Sequence, residues 1–197
     1  MPGTTANPQD SRQKLVAGAA DMIRRRGLNA TSVRELAKFA DAPLGSTYHY
    51  FPGGKTQLAA EAVAFAGDFT AALLERELAR GPVEGLCAFL AGWRQVVVDT
   101  EFRAGCPVLA VSVEDVPDAE GAPREAAVAA FTLWTELLAT SMTQAGADRS
   151  EADRVATLVI AAVEGSVAMC RAARSAEPLD RISDHLEALV RSVISWP

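Results

Sequence analysis

Apolar residues recur at the spacing of an α-helix along almost the whole chain, and this periodicity limits what the chain can fold into. In the first such stretch, from about Asp10 to Arg26, Leu15, Ala19, Met22 and Ile23 stand at i, i+4, i+7 and i+8, on one helix face. No competing stretch shows the alternation of apolar and polar residues that a half-buried strand requires. The sequence therefore predicts an all-α protein.

Two short helices separated by a tight turn are predicted before residue 55. Ser32 and Glu35 form a capping box at the start of the first, in which each side chain satisfies an orphan backbone amide. Pro43 disfavours helix at the residue before it and can occupy the first turn of the next helix, which runs to about Phe51. This spacing is typical of a helix-turn-helix.

Beyond residue 55 the chain is predicted to continue as helices with brief breaks at glycine and proline. Gly81-Pro82, Gly146 and Pro178 mark three of these breaks. A short element is expected after Gly105-Cys106-Pro107. The longer predicted helices are about Lys55–Arg80, Val83–Thr100, Arg124–Gln144, Ser150–Arg174 and Leu179–Ser195.

Charge is distributed unevenly along the chain. Residues 1–55 contain eight Lys and Arg against four Asp and Glu, a net charge of +4. The remaining residues contain eleven basic against twenty-one acidic side chains, a net charge of −10. Such asymmetry suggests a basic domain that meets an anion, attached to an acidic body. Uneven surface charge without any partner would give the same numbers, so charge alone leaves both interpretations open.

Cysteine usage and hydropathy indicate a soluble cytoplasmic protein without a membrane partner. Cys87, Cys106 and Cys170 lie far apart and form no Cys-x-x-Cys arrangement, which argues against a disulfide framework or a zinc ribbon. The N-terminus shows no charged-then-apolar leader. The longest uncharged apolar run, near residues 155–163, is far shorter than the roughly 18 residues that suggest a membrane span.

The residues give little support to catalysis, a cofactor or a metal. The chain has two histidines and no paired base and nucleophile. His185, among scattered carboxylates, is typical of a solvated helix face. Gly54-Lys55-Thr56 resembles the end of a phosphate-binding loop, but His49 stands where that loop requires glycine. We therefore expect no enzymatic activity, no cofactor and no metal.

The segment Leu44–Phe51 holds both tyrosines of the chain and one of its two histidines. Rings with a polar tip suit a helix that lies on a flat polar surface, and the DNA backbone is such a surface. The neighbouring Gly45 and Ser46 are small enough to let this helix enter the major groove. The segment is therefore the candidate DNA-reading helix.

The order and spacing of Thr31–Ala37, Gly45–Pro52 and Lys55 closely resemble the DNA-binding domain of the TetR family of bacterial repressors. The match covers about residues 10–60. The Phe-Pro-Gly-Gly-Lys join and Gly105-Cys106-Pro107 further resemble its lincomycin-resistance-regulator branch. The resemblance implies phosphate contacts at the N-terminus of the second helix, at the tyrosines and at the lysine, with base reading limited to about residues 43–49. The implied DNA-binding residues are Thr31, Ser32, Arg34, Pro43, Leu44, Gly45, Ser46, Tyr48, His49, Tyr50 and Lys55.

Aromatic and apolar residues of the C-terminal helices are expected to meet in the interior. They fill the core, or some of them line a cavity for an apolar, aromatic effector, an alternative to which the family resemblance adds weight. Glu164, a charge within the apolar face Leu158–Val167, could pair with an arginine across a dimer or hydrogen-bond a ligand. The candidate pocket residues are Trp93, Cys106, Phe131, Trp134, Leu138, Met169 and Cys170.

The last two helices carry apolar faces that are wide for a monomer. In the family, the corresponding helices form a four-helix dimer interface, which is what the resemblance implies here. The same stripe could instead belong to the core of a single subunit. The candidate interface residues are Val155, Leu158, Val159, Ala162, Leu186, Leu189, Val190 and Val193.

Together these features predict an all-α homodimer with two domains. Residues 1–55 are expected to form a helix-turn-helix DNA-binding domain, and residues 56–197 a ligand-binding and dimerisation domain. By family resemblance, the function is that of a ligand-responsive repressor, bound to a palindromic operator and released by a small apolar or aromatic effector. The competing hypothesis is a helical small-molecule-binding protein whose DNA-binding domain is vestigial.

Overall fold

Every regular element in the described part of the chain is an α-helix, which confirms the all-α prediction. The computed structural model describes residues 8–39, 44–115 and 121–194. The helices begin and end within a few residues of the glycines and prolines that break the sequence pattern. They are α1 (Pro8–Arg26), α2 (Val33–Phe39), α3 (Leu44–Tyr50), α4 (Gly54–Leu78), α5 (Pro82–Asp99), α6 (Pro107–Ser112), α7 (Ala122–Gln144), α8 (Arg149–Ala173) and α9 (Glu177–Val193).

The chain divides into two compact units. Unit 1 comprises the described residues up to Gly67 together with Pro107–Val128, and unit 2 comprises Asp68–Cys106 together with the described residues from Ala129 onwards. Helices α4 and α7 each contribute to both units. The functional division after residue 55 remains a prediction.

Helix α1 supplies the centre of the unit 1 core. Leu15 and Ile23 are at most 1% exposed, as the periodicity predicts, and α1 packs against α2, α3 and α6. At the edge of this core, the Arg12 guanidinium lies 5.0 Å from the centre of the Phe51 ring and 2.6 Å from the Glu61 carboxylate. Because Phe51 is itself buried, this cluster joins the end of α3 to α1 and α4.

Helices α5, α8 and α9 of unit 2 pack against one another. Helix α8 is the longest of the three. The Asp148 side chain caps its N-terminus by accepting the Glu151 backbone N–H at 3.1 Å. Arg174 ends the helix in the left-handed conformation, with φ of 51°. The core side chains of unit 2 that are at most 1% exposed include Leu86, Trp134, Leu138, Met142, Val159 and Leu179.

By length and composition alone, α4 and α8 are also apolar enough to cross a membrane. Core helices of soluble proteins meet the same criterion, and 50% of the most apolar stretch of α8 is buried inside the protein. Burial inside the protein accounts for the apolar composition of the inner side of α8.

Gly85 lies where α5 touches the backbone of the end of α4. A Cβ at this position would lie 2.7 Å from the Leu78 Cα and 2.9 Å from the Leu78 backbone nitrogen. We expect Gly85→Ala to lower the free energy of unfolding by about 1–3 kcal/mol, because a backbone neighbour cannot move aside cheaply.

The matched control is Gly92→Ala in the same helix, where nothing lies within 4 Å of an added Cβ. This change should be neutral or raise stability by about 0.5–1 kcal/mol, since alanine is the better helix former. Denaturant unfolding measures both variants, and similar effects at the two positions would contradict the close contact at Gly85.

Candidate functional site

The N-terminus of α2 uses both of its predicted phosphate-binding hydroxyls in local hydrogen bonds. Thr31 is 3% exposed, and its Oγ1 donates to the Gly27 carbonyl at 2.7 Å. Ser32 is exposed, and its Oγ accepts the Glu35 backbone N–H at 3.2 Å and donates to Glu35 Oε2 at 3.1 Å. The bond from the Glu35 amide to the serine oxygen is the one that the capping box predicts. The Glu35 carboxylate was predicted to accept a backbone amide, and it accepts the serine hydroxyl. Arg34 is exposed on the same helix.

Helix α3 turns one face to the core and the other to solvent. Thr47 is fully buried and Phe51, four residues later, is 1% exposed. On the opposite side, Tyr48 is 53% exposed and His49 is exposed, while Tyr50 is half-buried. This face therefore presents a phenol and an imidazole to solvent.

Gly45 keeps the start of α3 narrow. Gly45 is exposed, and nothing lies within 4 Å of a Cβ added there. Packing within the protein therefore does not require glycine at this position. Leu44 and Ser46 lie in the same helix, but their side chains are outside the described part of the structure, as is the whole of Pro43.

Lys55 follows at the first turn of α4. It is half-buried, and its Nζ donates to the Asn29 carbonyl at 3.4 Å. Gly54, immediately before it, has φ of 64°, a conformation that favours glycine. The ammonium group thus lies against the loop between α1 and α2, close to the helix that the resemblance assigns to phosphate binding.

A carboxylate that follows α6 holds that same loop, a contact that the sequence did not predict. Glu114 Oε1 accepts the Leu28 N–H and Oε2 accepts the Asn29 N–H, both at 2.7 Å. Gly27, with φ of 83°, allows this approach, since a Cβ there would collide with Glu114 Oε1. No local pattern could reveal the contact, because 85 residues separate Asn29 from Glu114 along the chain.

The basic last turn of α1 is partly neutralised within unit 1. Arg24 and Arg25 both bind Asp21, and Arg26 lies 3.7 Å from the Glu35 carboxylate. Partial burial opposes ionisation of Asp21, but the hydrogen bonds from Arg25 and Arg24 outweigh it and lower the pKa of this carboxyl. Internal ion pairs therefore compensate part of the positive charge of residues 1–55.

Most of the predicted pocket residues lie in the interior of unit 2. Trp93 is 9% exposed, and Cys106, Trp134, Leu138 and Cys170 are buried as well. Phe131 is half-buried and meets Trp134 edge to face, with ring centres 5.4 Å apart. An open groove of unit 2, lined by Glu75, Leu78, Ala79, Glu136, Leu137, Thr140, Ser141 and Gln144, contains none of the predicted pocket residues.

Met169 is placed differently from the other six. It is 60% exposed, on the outer face of α8. The structure therefore separates it from the interior residues with which the sequence grouped it. The helical period explains the difference, because Met169 lies next to the buried Cys170 but about 100° around the helix from it.

The predicted dimer residues split into two groups. Val155, Val159, Leu186 and Val190 are at most 5% exposed within one subunit, where α8 packs against α9. Leu158 is 54% exposed, and Ala162, Leu189 and Val193 are half-buried. The first group belongs to the core of a single subunit, the alternative that the sequence left open.

Leu158 lies on an exposed side of α8, and four further residues on that side were not among the predicted interface residues. They are exposed, small or apolar and uncharged: Ala161, Gly165, Ala168 and Met169. A signal was available, because Glu164 is the one charged residue between Val155 and Cys170, so α8 is apolar on more than one face. We call Leu158, Ala161, Gly165, Ala168 and Met169 the outer α8 face.

Two family models match the chain. Residues 15–62 match the bacterial regulatory proteins of the tetR family, and residues 82–185 match the transcriptional regulator LmrA/YxaF-like C-terminal domain. Both matches confirm the resemblance that the motifs predicted.

Individual relatives agree with the family models. The chain is 41% identical over 186 residues to the HTH-type transcriptional regulator Rv0196 of Mycobacterium tuberculosis, covering 92% of this chain and 95% of that protein. It is 32% identical to the HTH-type transcriptional regulator LmrA of Bacillus subtilis, covering 92% and 97%. The fold is similar to that of a crystal structure of the regulatory protein TetR from Rhodobacter sphaeroides, with a TM-score of 0.81 at 22% identity, covering 91% and 98%.

Removing the Glu114 carboxylate should loosen the loop that carries Leu28 and Asn29. We expect Glu114→Ala to lower the free energy of unfolding by about 1–3 kcal/mol, because two amides lose a charged acceptor. Hydrogen exchange at these two amides should accelerate more than at Leu15 in the core. The control is Asp115→Ala, which removes the same charge from an exposed neighbour. Equal effects of the two substitutions would show that the bidentate contact contributes nothing.

Glu164 should make stability depend on pH near neutrality. Burial raises the pKa of this carboxyl from 4.5 to about 7, against a smaller lowering effect of the hydrogen bond with Cys106. The folded protein then holds the proton more tightly than the unfolded chain. Stability linked to this proton is fully present below pH 4.5 and is lost as the pH rises through about 7.

Compared with Glu164→Gln, the protein should lose roughly 3 kcal/mol of unfolding free energy between about pH 4.5 and pH 7.5. Denaturant unfolding of both proteins across this range measures the difference. A constant difference over the range would contradict the raised pKa.

Proposed function

Since the chain belongs to the TetR family of bacterial transcriptional regulators, with an LmrA/YxaF-like C-terminal domain, we propose that it is a ligand-responsive repressor that binds a palindromic operator as a dimer. The family is one of regulators, not of enzymes. The observation that carries the proposal is the exposed face of α3, where Tyr48 and His49 point away from the buried Thr47 and Phe51. A helix anchored on one face and presenting polar rings on the other is suited to the major groove.

On DNA, most contacts would position the protein, and few would read bases. Tyr48 can donate a hydrogen bond to a phosphate while its ring packs on the sugar edge. Lys55 would exchange the Asn29 carbonyl, 3.4 Å away, for a phosphate oxygen, a stronger acceptor because it is charged. Base reading would be left to the start of α3 and to His49.

Dimerisation would use the outer α8 face. Small residues such as Ala161 and Gly165 allow two helices to approach closely, and Leu158 and Met169 supply apolar area. Leu189 and Val193, half-buried on α9, would extend the same interface. Two subunits related by a two-fold axis would place two copies of α3 on half-sites about one helical turn apart.

The effector would bind in the interior of unit 2. Trp93, Trp134 and Leu138 supply an apolar, aromatic lining suited to a flat ligand. Helix α4 starts beside the DNA-binding helices and extends into unit 2, so a tilt of this helix on ligand binding would alter the spacing of the two reading helices. Such coupling requires that the effector bind the two states with different affinities.

The competing function is a small-molecule-binding protein with a vestigial DNA-binding domain. A salt-dependent titration of the protein against the DNA upstream of its own gene separates the two. A repressor should protect a two-fold-symmetric site with two subunits bound. Ligand binding by a folded dimer that shows no specific DNA site would favour the vestigial domain.

Lys55→Ala should weaken operator binding on all sequences and make the slope of log affinity against log salt shallower by about one. The loss of a single phosphate contact is the physical reason. Tyr48→Phe should weaken binding by losing a hydroxyl while keeping the ring. Arg181→Ala serves as the control, because it removes an exposed positive charge from unit 2. If Lys55→Ala matches this control in affinity and salt slope, the lysine does not contact DNA.

A further inference from the structure

Glu164 is an ionisable side chain in the apolar interior of unit 2. It is 5% exposed, on the face of α8 that also carries the buried Ile160, Val163 and Val167. The carboxyl is hydrogen-bonded to the Cys106 thiol, and its Oε2 has no hydrogen-bond partner among the described residues. A buried carboxyl oxygen without a partner is costly, and leucine or methionine would fill the same space without that cost.

A partner subunit does not explain the orphaned oxygen. The outer α8 face is the exposed side of this helix, whereas Glu164 points to the buried side together with Ile160 and Val167. An arginine of a second copy would therefore meet Gly165 and Met169 before it could reach this carboxyl. A partner for Oε2 other than an ordered water would therefore lie in the interior of unit 2.

A second buried polar atom in unit 2 is also without a partner. Trp93 Nε1, on α5, is a donor that binds nothing among the described residues, and Trp93 is 9% exposed. Helix α5 packs against α8. Buried polar side-chain atoms are nearly always hydrogen-bonded, so an orphaned acceptor and an orphaned donor in one helical bundle require an explanation.

We propose that Glu164 is the polar anchor of the effector site, and that the effector is a flat aromatic molecule with a hydrogen-bond donor, either a phenolic hydroxyl or an amine. The inference rests on the proposed function in assuming that an effector binds in unit 2. The donor of the ligand would bind Oε2, and its ring would pack among the aromatic side chains of the interior. An acceptor elsewhere on the ligand would take the Trp93 N–H.

The protonation of Glu164 suits either donor. Burial raises the pKa of this carboxyl to about 7, so both of its forms are populated at neutral pH. The carboxylate form can accept from a phenol or pair with an ammonium group, and such charge-assisted bonds are the stronger ones. Trp93 supplies orientation, because an N–H donor can only face an acceptor.

The experiment compares matched probes that differ in one hydrogen-bond donor. 2-Naphthol carries the donor, 2-methoxynaphthalene lacks it, and 2-naphthylmethylamine places a cationic donor at the same ring position. Calorimetric titration of the full-length protein should give about 10-fold or greater preference for 2-naphthol over 2-methoxynaphthalene, as expected for a bond to a buried acidic group. A preference for the amine over 2-naphthol would identify the amine class, and the reverse the phenol class.

Two variants assign the preference to this residue. Glu164→Leu should bind 2-naphthol and 2-methoxynaphthalene within about 2-fold of each other, while its melting temperature stays equal or rises because an orphaned carboxyl is gone. Glu164→Gln keeps a neutral acceptor oxygen, so its preference for 2-naphthol should be weaker than that of the parent protein but not lost. If the leucine variant does not fold, this weakening in the glutamine variant tests the proposal. Asp153→Leu, an exposed site on α8, is the control and should leave the preference unchanged.

Three results would overturn the proposal. They are equal binding of 2-naphthol and 2-methoxynaphthalene by the parent protein, no binding of any probe, or a preference for 2-naphthol that survives in Glu164→Leu. The operator titration separates these from failure of the repressor function. If the protein binds a specific operator but does not discriminate between the probes, the role proposed for Glu164 is wrong and the repressor function stands. If it discriminates between the probes but binds no operator, Glu164 is the anchor of a ligand-binding protein that is not a repressor.

Discussion

The apolar surface of α8 is the constraint on which unit 2 depends. Between Val155 and Cys170 its one charged residue is Glu164. Other parts of the protein or a partner must therefore cover apolar side chains on most sides of the helix. The inner side is covered by α5 and α9, and Val159 and Val163 are at most 1% exposed there. The outer α8 face remains open within one subunit. Because this stripe is exposed and uncharged, it supports the proposed dimer interface.

Unit 1 is organised by polar contacts around a loop. The hydrophobic face of α1 fixes where the helix lies, but the loop that follows is set by Glu114 and by the Gly27 conformation that admits it. That loop supplies the carbonyl bound by Lys55 and leads into the cap of α2. Lys55 and the start of α2 thus share one support, and a carboxylate remote in sequence provides it. A helix-turn-helix motif specifies its own turn but does not specify this outside support.

Some features of this fold are encoded by neighbouring residues and others are not. Ser32 could be recognised as a cap because a capping box spans four neighbouring residues, and the structure shows the hydroxyl in that role. The buried position of Thr31 could not be recognised, because its hydroxyl is taken by Gly27 through a turn that the pattern does not fix. Periodicity also identified α8 and α9 as apolar, but it could not say which side faces the neighbouring helix. For that reason the list of interface residues mixed Leu158 with the buried Val155 and Val159.

The sequence by itself determined the helical class, the positions of the breaks, the family and the candidate reading helix, because each depends on residues within a few turns of one another. Tertiary structure decided which apolar face of α8 is core, that Met169 is outside and Glu164 inside, and that Glu114 holds the loop before α2. The physical reason is that burial and long-range hydrogen bonds are properties of packed surfaces. A residue's own neighbours in the chain set its helix and its face, and only the elements packed against that face decide whether it meets water, a side chain or a ligand.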